Sequence, residues 1–124
     1  MNDLVIKGDK QKPDLIFSAA TGELKVSGQS LPENATLLYE PVLAWIAEYS
    51  KAPAKKTVFS LQMKYYNTAS SKMFFSIIKS LNLLYRGGAD IEIEWHYQDD
   101  DEDMLDAGEY FRDLVDIPFQ FLSY

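Results

Sequence analysis

The chain contains no cysteine and a single histidine, His96. Without cysteine it can hold no disulfide framework, no thiolate metal site and no cysteine nucleophile. One histidine cannot supply a metal site built on several imidazole ligands. We therefore expect no metal and no cofactor, and the lack of cysteine also suits a reducing compartment.

Long hydrophobic runs and an excess of positive charge are also lacking. The most apolar stretch, residues 73–84, is interrupted by polar side chains such as Lys79 and Asn82, whereas a bilayer span needs about 20 apolar residues. Residues 1–12 lack the basic and apolar regions of a signal peptide. The net charge of −7 opposes binding to nucleic acid or anionic membranes. We expect a cytoplasmic protein that binds neither.

The amino-acid composition is that of an ordinary globular protein. Apolar residues make up 47% and charged residues 25% of the 124 positions, so we expect one domain spanning residues 1–124. Seven Phe, eight Tyr and two Trp are many for a core of this size. Some of these aromatic side chains are therefore expected at a protein interface.

Alternating patterns predict six strands. Short strands at residues 4–6, 15–17 and 24–26 come first, and Thr21-Gly22 forms the turn of a hairpin between the second and third. Residues 56–66 alternate, with the apolar face made of Phe59, Leu61, Met63 and Tyr65. Strands at residues 91–97 and 119–122 complete the set, and residues 28–34 are expected to form a loop.

Helical periodicity predicts three helices. The first is capped by Asn34, with its main part beginning at Pro41. The second covers residues 69–86 and ends at Gly87-Gly88, and the third covers residues 104–115. The resulting order, β-β-β-α-β-α-β-α-β, predicts an α/β (α+β) fold with a mixed sheet and about three helices mainly on one face. The stretch from residue 56 to 97 is expected to be a right-handed crossover between parallel strands.

The most informative segment for function is residues 65–72, Tyr-Tyr-Asn-Thr-Ala-Ser-Ser-Lys, where a strand ends and a helix begins. Asn67 or Thr68 is suited to be the N-cap of that helix. A second interpretation makes Thr68 a phosphoacceptor, because a phosphate there would meet the positive end of the helix dipole and its free N–H groups. The two interpretations are compatible and differ only over purpose.

This segment resembles the Asn-Thr-Ser-Ser-x-Lys signature of the SiaC-type regulatory phosphoproteins. Three other segments resemble the same family in the same order, so that the likeness covers nearly the whole chain: residues 22–34 followed by 39–45, then Trp95-His96-Tyr97, and then residues 101–109. Ala69 departs from the signature, where serine is usual. That change removes one alternative hydroxyl and leaves Thr68 in place.

The resemblance implies a fold like that of anti-sigma-factor antagonists and a function in cyclic-di-GMP signalling and biofilm control. It implies a non-enzymatic switch protein that is phosphorylated on Thr68 by a dedicated Ser/Thr kinase and dephosphorylated by a PP2C-like phosphatase. The unphosphorylated form is implied to bind and activate a diguanylate cyclase. Asn67, Ser70, Ser71 and Lys72 are the implied surroundings of the phosphosite.

Other residues leave alternatives open. Met73 and Phe75 flank the apolar stripe of the second helix, and they either widen its buried face or form a partner surface beside Thr68. His96, on the strand face that carries Glu92 and Glu94, allows a small enzyme with a histidine base as an alternative function. A constitutive adaptor, in which Thr68 is only a helix cap, is another.

The acidic run Asp99–Asp103 does not fit a calcium loop. An EF-hand needs glycine at its sixth position and glutamate at its twelfth, where this chain has Met104 and Tyr110. The acids are expected to solvate a turn and to favour the start of the next helix. A docking role for basic residues of a partner stays open.

Overall fold

The computed structural model describes residues Met1–Tyr124 as six strands and three helices, in the predicted order. The elements are β1 (Leu4–Ile6), β2 (Asp14–Phe17), β3 (Glu23–Ser30), α1 (Ala35–Tyr49), β4 (Thr57–Tyr66), α2 (Thr68–Arg86), β5 (Ile91–Tyr97), α3 (Glu102–Asp113) and β6 (Phe119–Ser123).

The strands form one mixed sheet in the order β1-β2-β3-β4-β5-β6. β1, β2 and β3 pair antiparallel, whereas β3 to β6 pair parallel. The predicted hairpin joins β2 to β3, and Gly22 adopts φ 75° in its turn, a conformation that glycine reaches without steric cost. Each parallel pair is connected through a helix, because parallel neighbours need a long crossover.

Alternate residues along the strands face one continuous core. Those from β2 to β5 are Leu15, Phe17, Leu24, Val26, Phe59, Leu61, Met63, Ile91, Ile93 and Trp95, all buried. The same cluster holds buried side chains of all three helices, including Tyr39, Ile78 and Phe111. The helices therefore cover one face of the sheet, which confirms the predicted α/β architecture with a mixed sheet.

An irregularity in β4 reverses its alternation near the end of the strand. Gly28 pairs with Met63, but the next residue, Gln29, pairs with Tyr65, so one residue of β4 is left over. A bulge of this kind moves every following side chain to the other face. The prediction that Tyr65 lies on the apolar face is therefore wrong: Tyr65 is 56% exposed, and its neighbour Tyr66 packs against Phe74 instead, with ring centroids 5.1 Å apart.

Two boundaries also differ from the prediction. β3 continues to Ser30 through the segment expected to be loop, with Gly28 at φ 102°. α1 is continuous from Ala35, so a separate start at Pro41 is wrong. A proline within a helix leaves the carbonyl four residues earlier without its N–H partner. That residue is Leu37, which is 69% exposed, and water can solvate its carbonyl.

The third helix begins two residues earlier than predicted, at Glu102. Asp101 is its N-cap and accepts a hydrogen bond from the Met104 N–H at 3.0 Å. None of the three helices is long and apolar enough to cross a membrane. The chain also has no group of three or more His, Asp or Glu side chains placed to hold a metal ion.

Candidate functional site

Asn67 is the residue that caps α2. Its side-chain oxygen accepts a hydrogen bond from the Ser70 N–H at 2.9 Å, and its amide donates to the Pro32 carbonyl at 3.4 Å. Thr68 follows as the first residue of the helix and is exposed. The hydroxyl of Thr68 is therefore not needed for the cap.

Ser70, two residues further on, lies in the interior. It is 0% exposed, and its hydroxyl lies 2.7 Å from the hydroxyl of Ser30. The Ser30 hydroxyl in turn lies 2.6 Å from the hydroxyl of Tyr39 in α1. This buried hydroxyl network joins β3, α1 and α2 directly beneath the start of α2. Ser70 is thus a structural residue. Its N–H takes part in the cap, and its hydroxyl has a buried role beyond the phosphosite surroundings that the resemblance implied.

Burial raises the pKa of two tyrosines near this point. Desolvation raises the pKa of Tyr39 to about 12, although its hydrogen bonds to Ser30 and Ser70 act in the opposite direction. Desolvation also raises the pKa of Tyr66 to about 12. Both phenols therefore stay protonated even in moderately alkaline solution, and neither is suited to act as a base.

Thr68 lines an open groove between the starts of two helices. The groove has a volume of about 500 Å³ and is bounded by residues 33–36 of the α1 start and by Thr68, Ala69, Lys72 and Met73; we call it the Thr68 groove. Asn34 caps α1 by accepting a hydrogen bond from the Leu37 N–H at 3.0 Å. Helix N-termini carry partial positive charge. The groove therefore combines two such ends with the cation of Lys72, against the single anion of Glu33.

The other predicted site residues are exposed or half-buried. Lys72 is exposed and Ser71 is half-buried. Met73 and Phe75 are half-buried and pack against the core, so they widen the buried face while keeping part of their surface open. Met73 lines the Thr68 groove, and Phe75 lines a second groove between α2 and α3.

This second groove contains residues that the sequence did not single out. It is lined by Ser71, Lys72, Phe75, Tyr110, Phe111 and Leu114; we call it the α2–α3 groove. Tyr110 is 65% exposed and Leu114 is 45% exposed. The spacing of apolar residues in α3 allows either Tyr110 or Phe111 to face the core. The structure buries Phe111 and leaves Tyr110 on the surface.

His96 lies away from Thr68, on the open face of the sheet. Its Nε2 is 3.6 Å from Oε1 of Glu94, and its neighbours across the sheet are Gln62 and Leu122. No serine or threonine hydroxyl is hydrogen-bonded to it, so it lacks the geometry of a base that activates a nucleophile.

Comparisons with known proteins agree with this structure. The family model described as SiaC family regulatory phosphoprotein matches residues 6–124. An uncharacterized protein of Pseudomonas aeruginosa strain UCBPP-PA14 is 29% identical over 124 residues, covering 100% of this chain and 98% of that protein. The structure of SiaC of Pseudomonas aeruginosa is similar with a TM-score of 0.92 at 27% identity and covers 100% of both chains.

A further similar structure contains two proteins. It is the diguanylate cyclase SiaD in complex with its activator SiaC from Pseudomonas aeruginosa, with a TM-score of 0.93 at 28% identity, covering 98% of this chain and 100% of the matched one. The resemblance read from the sequence is thereby confirmed. The chain belongs to the SiaC family of regulatory phosphoproteins.

Proposed function

We propose that this protein is a non-enzymatic activator of a diguanylate cyclase and that phosphorylation of Thr68 switches it off. A Ser/Thr kinase adds the phosphate and a PP2C-like phosphatase removes it. The unphosphorylated form binds the cyclase, so the state of Thr68 sets cyclic-di-GMP synthesis and the processes that depend on it, such as biofilm formation.

The observation that carries this proposal is the different burial of two neighbouring hydroxyls. Thr68 is exposed on the first turn of α2, while Ser70 is fully buried. The fold does not depend on the Thr68 hydroxyl, because Asn67 supplies the cap. A kinase can therefore reach Thr68 without disrupting the core.

A phosphate on Thr68 would fit the electrostatics of its surroundings. Phosphorylation adds about −1.5 to −2 charges at neutral pH. That charge would lie at the positive end of the α2 dipole. It would also lie one turn from Lys72, at the (i, i+4) spacing that favours opposite charges. The modified protein should keep its fold and change only the surface that a partner meets.

The choice of partner follows from the relatives. The similar SiaC chain of Pseudomonas aeruginosa is described as the activator of the cyclase SiaD with which it forms a complex. The match covers 98% of this chain and 100% of the matched chain. We extend the same type of partner to this chain.

The test is phosphorylation with the cognate kinase, followed by intact mass measurement and a cyclase activity assay. Wild-type protein should gain one phosphate and lose its ability to stimulate the cyclase of its native host. Thr68→Ala should gain none and should still stimulate. Ser71→Ala, which removes a neighbouring half-buried hydroxyl, is the matched control and should be modified like the wild type.

Two results would overturn the proposal. Modification of Thr68→Ala to the wild-type extent would move the phosphosite elsewhere. Equal affinity of the phosphorylated and unphosphorylated proteins for the cyclase would leave Thr68 as a helix residue without a switching role, which is the adaptor alternative.

A further inference from the structure

The last strand of the sheet, β6, has one edge without a partner strand. It pairs only with β5, and no other strand of the chain lies beyond it. The N–H and C=O groups along such an edge can pair with a further strand, so proteins usually shorten the edge, charge it or interrupt it with a bulge or a proline. The open edge of β6 is therefore a candidate interaction surface.

The two edges of the sheet differ in their protection. β1, at the other edge, has only three residues and lies between Asp3 and Lys7. β6 has five residues, Phe-Gln-Phe-Leu-Ser, without a charge or a proline, and its pairing with β5 continues without a register shift. β6 thus lacks the features that commonly prevent pairing with another strand.

The hydrogen bonds to β5 show which backbone groups of β6 point outward. The Ile93 N–H donates to the Pro118 carbonyl at 3.0 Å, and the Tyr124 N–H donates to the Tyr97 carbonyl at 3.0 Å. Even-numbered residues of this segment therefore direct their backbone groups to β5. Since this direction alternates along a strand, the odd-numbered residues direct theirs away from the sheet. These are Phe119, Phe121 and Ser123.

The outward groups of β6 are complementary to themselves. The outer two residues lie two positions on either side of Phe121, and each of the three supplies one N–H and one C=O. In an antiparallel second copy, with a two-fold axis beside Phe121, residue 119 of one copy faces residue 123 of the other. Every outward N–H then meets an outward C=O. A shift of two residues would leave one outward residue of each copy unpaired.

Charge favours a second copy over a charged peptide at this edge. β6 contains no Asp, Glu, Lys or Arg, so it offers a basic or acidic strand no opposite charge. Arg112 of α3 lies over the Phe121 ring, 5.5 Å from its centroid, and forms ion pairs with Glu109 and Asp113. These charges are therefore already engaged. An uncharged edge matches an uncharged strand, and β6 of a second copy is such a strand.

The side chains on both faces of β6 suit the same pairing. On the helix face, Phe119 and Phe121 are half-buried, with ring centroids 6.0 Å apart, and the two-fold axis would bring the two Phe121 residues together. On the open face, Leu122 is 36% exposed and would face Gln120 of the second copy. Pairing would remove part of this apolar surface from water.

We propose that two copies of this chain form a dimer through antiparallel pairing of their β6 strands. The axis uses the open edge of both copies, so the assembly closes at two. The strand is short, so the dimer is weak and reversible. β5 lies between β6 and β4, the strand that leads to Thr68. The contact does not use Thr68, and the inference does not depend on the proposed function.

The first experiment is disulfide trapping of the purified protein, which is specific because the chain has no cysteine of its own. Facing residues of a hydrogen-bonded antiparallel pair have Cα atoms about 5.5 Å apart, within the range that a disulfide spans. We expect Phe121→Cys to form a covalent dimer under mild oxidation. Ser123→Cys is the register control, since the two copies of residue 123 would lie roughly 14 Å apart along the strands.

The comparison of the two cysteine variants can contradict the inference in three ways. Residue 123 is more exposed than residue 121, so random collision would trap Ser123→Cys at least as readily. Equal trapping of both variants would therefore overturn the inference, and trapping of Ser123→Cys alone would do the same. Absence of a covalent dimer in folded Phe121→Cys would also overturn it.

The second experiment is sedimentation velocity of the full-length protein in about 0.15 M salt, which screens the repulsion between two chains of net charge −7. The mean mass should rise towards twice that of the monomer as concentration increases. Leu122→Lys, which adds a charge to the edge, should weaken association by about fivefold or more. Val5→Lys, the matched change at a 65% exposed residue of β1, should alter it by less than about twofold.

Ser123→Pro tests the outward hydrogen bonds directly. It removes an N–H that β5 does not use, and the two-fold axis doubles the loss, so association should weaken by about tenfold. Circular dichroism melting curves show which variants are folded. If Phe121→Cys does not fold, the wild type, Leu122→Lys and Ser123→Pro decide.

Two sedimentation results would overturn the inference. A wild type that stays monomeric at every concentration would exclude a second copy as the occupant of the edge. A dimer that both Leu122→Lys and Ser123→Pro leave intact would place the contact on another surface. Neither experiment uses a kinase or a cyclase, so neither result changes the proposed function.

Discussion

The hydroxyl groups of Ser30 and Ser70 lie 2.7 Å apart, although 40 residues separate them in the chain. Ser30 ends β3 and Ser70 lies in the first turn of α2. The Ser30 carbonyl also accepts hydrogen bonds from the Ser70 hydroxyl at 3.1 Å and from the Asn67 N–H at 3.0 Å. This contact fixes the start of α2 against the sheet and leaves Thr68 outside it.

Removal of the Ser70 hydroxyl should destabilise the protein. We expect Ser70→Ala to lower the free energy of unfolding by roughly 1–3 kcal/mol, because it removes hydrogen bonds from a buried network. Ser71→Ala, one position later and half-buried, should change it by less than about 0.5 kcal/mol. Urea denaturation of both variants measures the difference. Equal values would show that the hydroxyl network adds no net stability.

Because Asn67 caps α2 and Thr68 does not, their replacement by alanine should have different effects on stability. We expect Asn67→Ala to lower the free energy of unfolding by about 1 kcal/mol, since the Ser70 N–H loses its acceptor. Thr68→Ala should cost less than about 0.5 kcal/mol. Chemical denaturation of both variants in the unphosphorylated state measures these two losses. A larger loss in Thr68→Ala would assign a structural role to the proposed switch residue.

The buried phenol of Tyr39 should make stability fall at alkaline pH. Its pKa is raised to about 12 by desolvation, whereas an unfolded tyrosine ionises near pH 10. Between these values the unfolded chain holds fewer protons, so the stability present below pH 10 is lost as pH rises to about 12. The contribution of Tyr39 is up to roughly 2–3 kcal/mol.

Unfolding free energies measured from pH 8 to 12 check this expectation. Tyr39→Phe should show a shallower fall above pH 10 than the wild type. Tyr65→Phe, which changes a tyrosine that is 56% exposed, should keep the wild-type slope. If all three slopes agree, the phenol of Tyr39 does not ionise differently in the folded protein.

A larger residue in place of Gly108 should destabilise the protein, because α3 packs directly on the Trp95 indole. A Cβ at this position would lie 2.5 Å from Trp95 Cδ1, and the indole N–H donates to the Met104 carbonyl at 2.9 Å. We expect Gly108→Ala to lower the free energy of unfolding by roughly 1–3 kcal/mol through overpacking. Asp106→Ala, at an exposed position of the same helix, should change it by less than about 0.5 kcal/mol. Thermal unfolding that shows equal losses would mean that the indole moves aside without cost.

His96 should be dispensable for activation. It lies on the open face of the sheet beside Glu94 and has no hydroxyl partner. We expect His96→Gln to stimulate the cyclase as the wild type does, in an assay of cyclic-di-GMP formation. A complete loss of stimulation with the fold intact would favour the alternative in which the protein is an enzyme.

The periodicity of side chains was enough to predict the elements and their order. Alternation in β4 and β5 and the apolar stripe of α2 each depend on residues close together in the chain, because secondary structure repeats over two or 3.6 residues. The cap at Asn34 and the positive φ of Gly22 were predictable for the same reason. The likeness to the Asn-Thr-Ser-Ser-x-Lys signature also identified the segment around Thr68.

Local patterns failed where a distant contact overrides them. The extra residue in β4 arises from its pairing with β3, and it is this pairing that exposes Tyr65 and turns Tyr66 inward. Ser70 precedes Phe74 by four residues, so helical spacing alone places it on the buried face of α2. The hydrogen-bond partners of its hydroxyl, Ser30 and the neighbouring Tyr39, come from distant parts of the chain, and no local pattern indicates them.

The amino-acid sequence alone therefore established the order of strands and helices, the family likeness and the candidate phosphoacceptor. Folding in three dimensions determined which hydroxyl is exposed, and it brought the starts of α1 and α2 together around Thr68. The physical reason is the sequence separation of the interacting residues. Helix and strand preferences act over a few residues, whereas burial and surface charge depend on neighbours that are tens of residues apart in the chain.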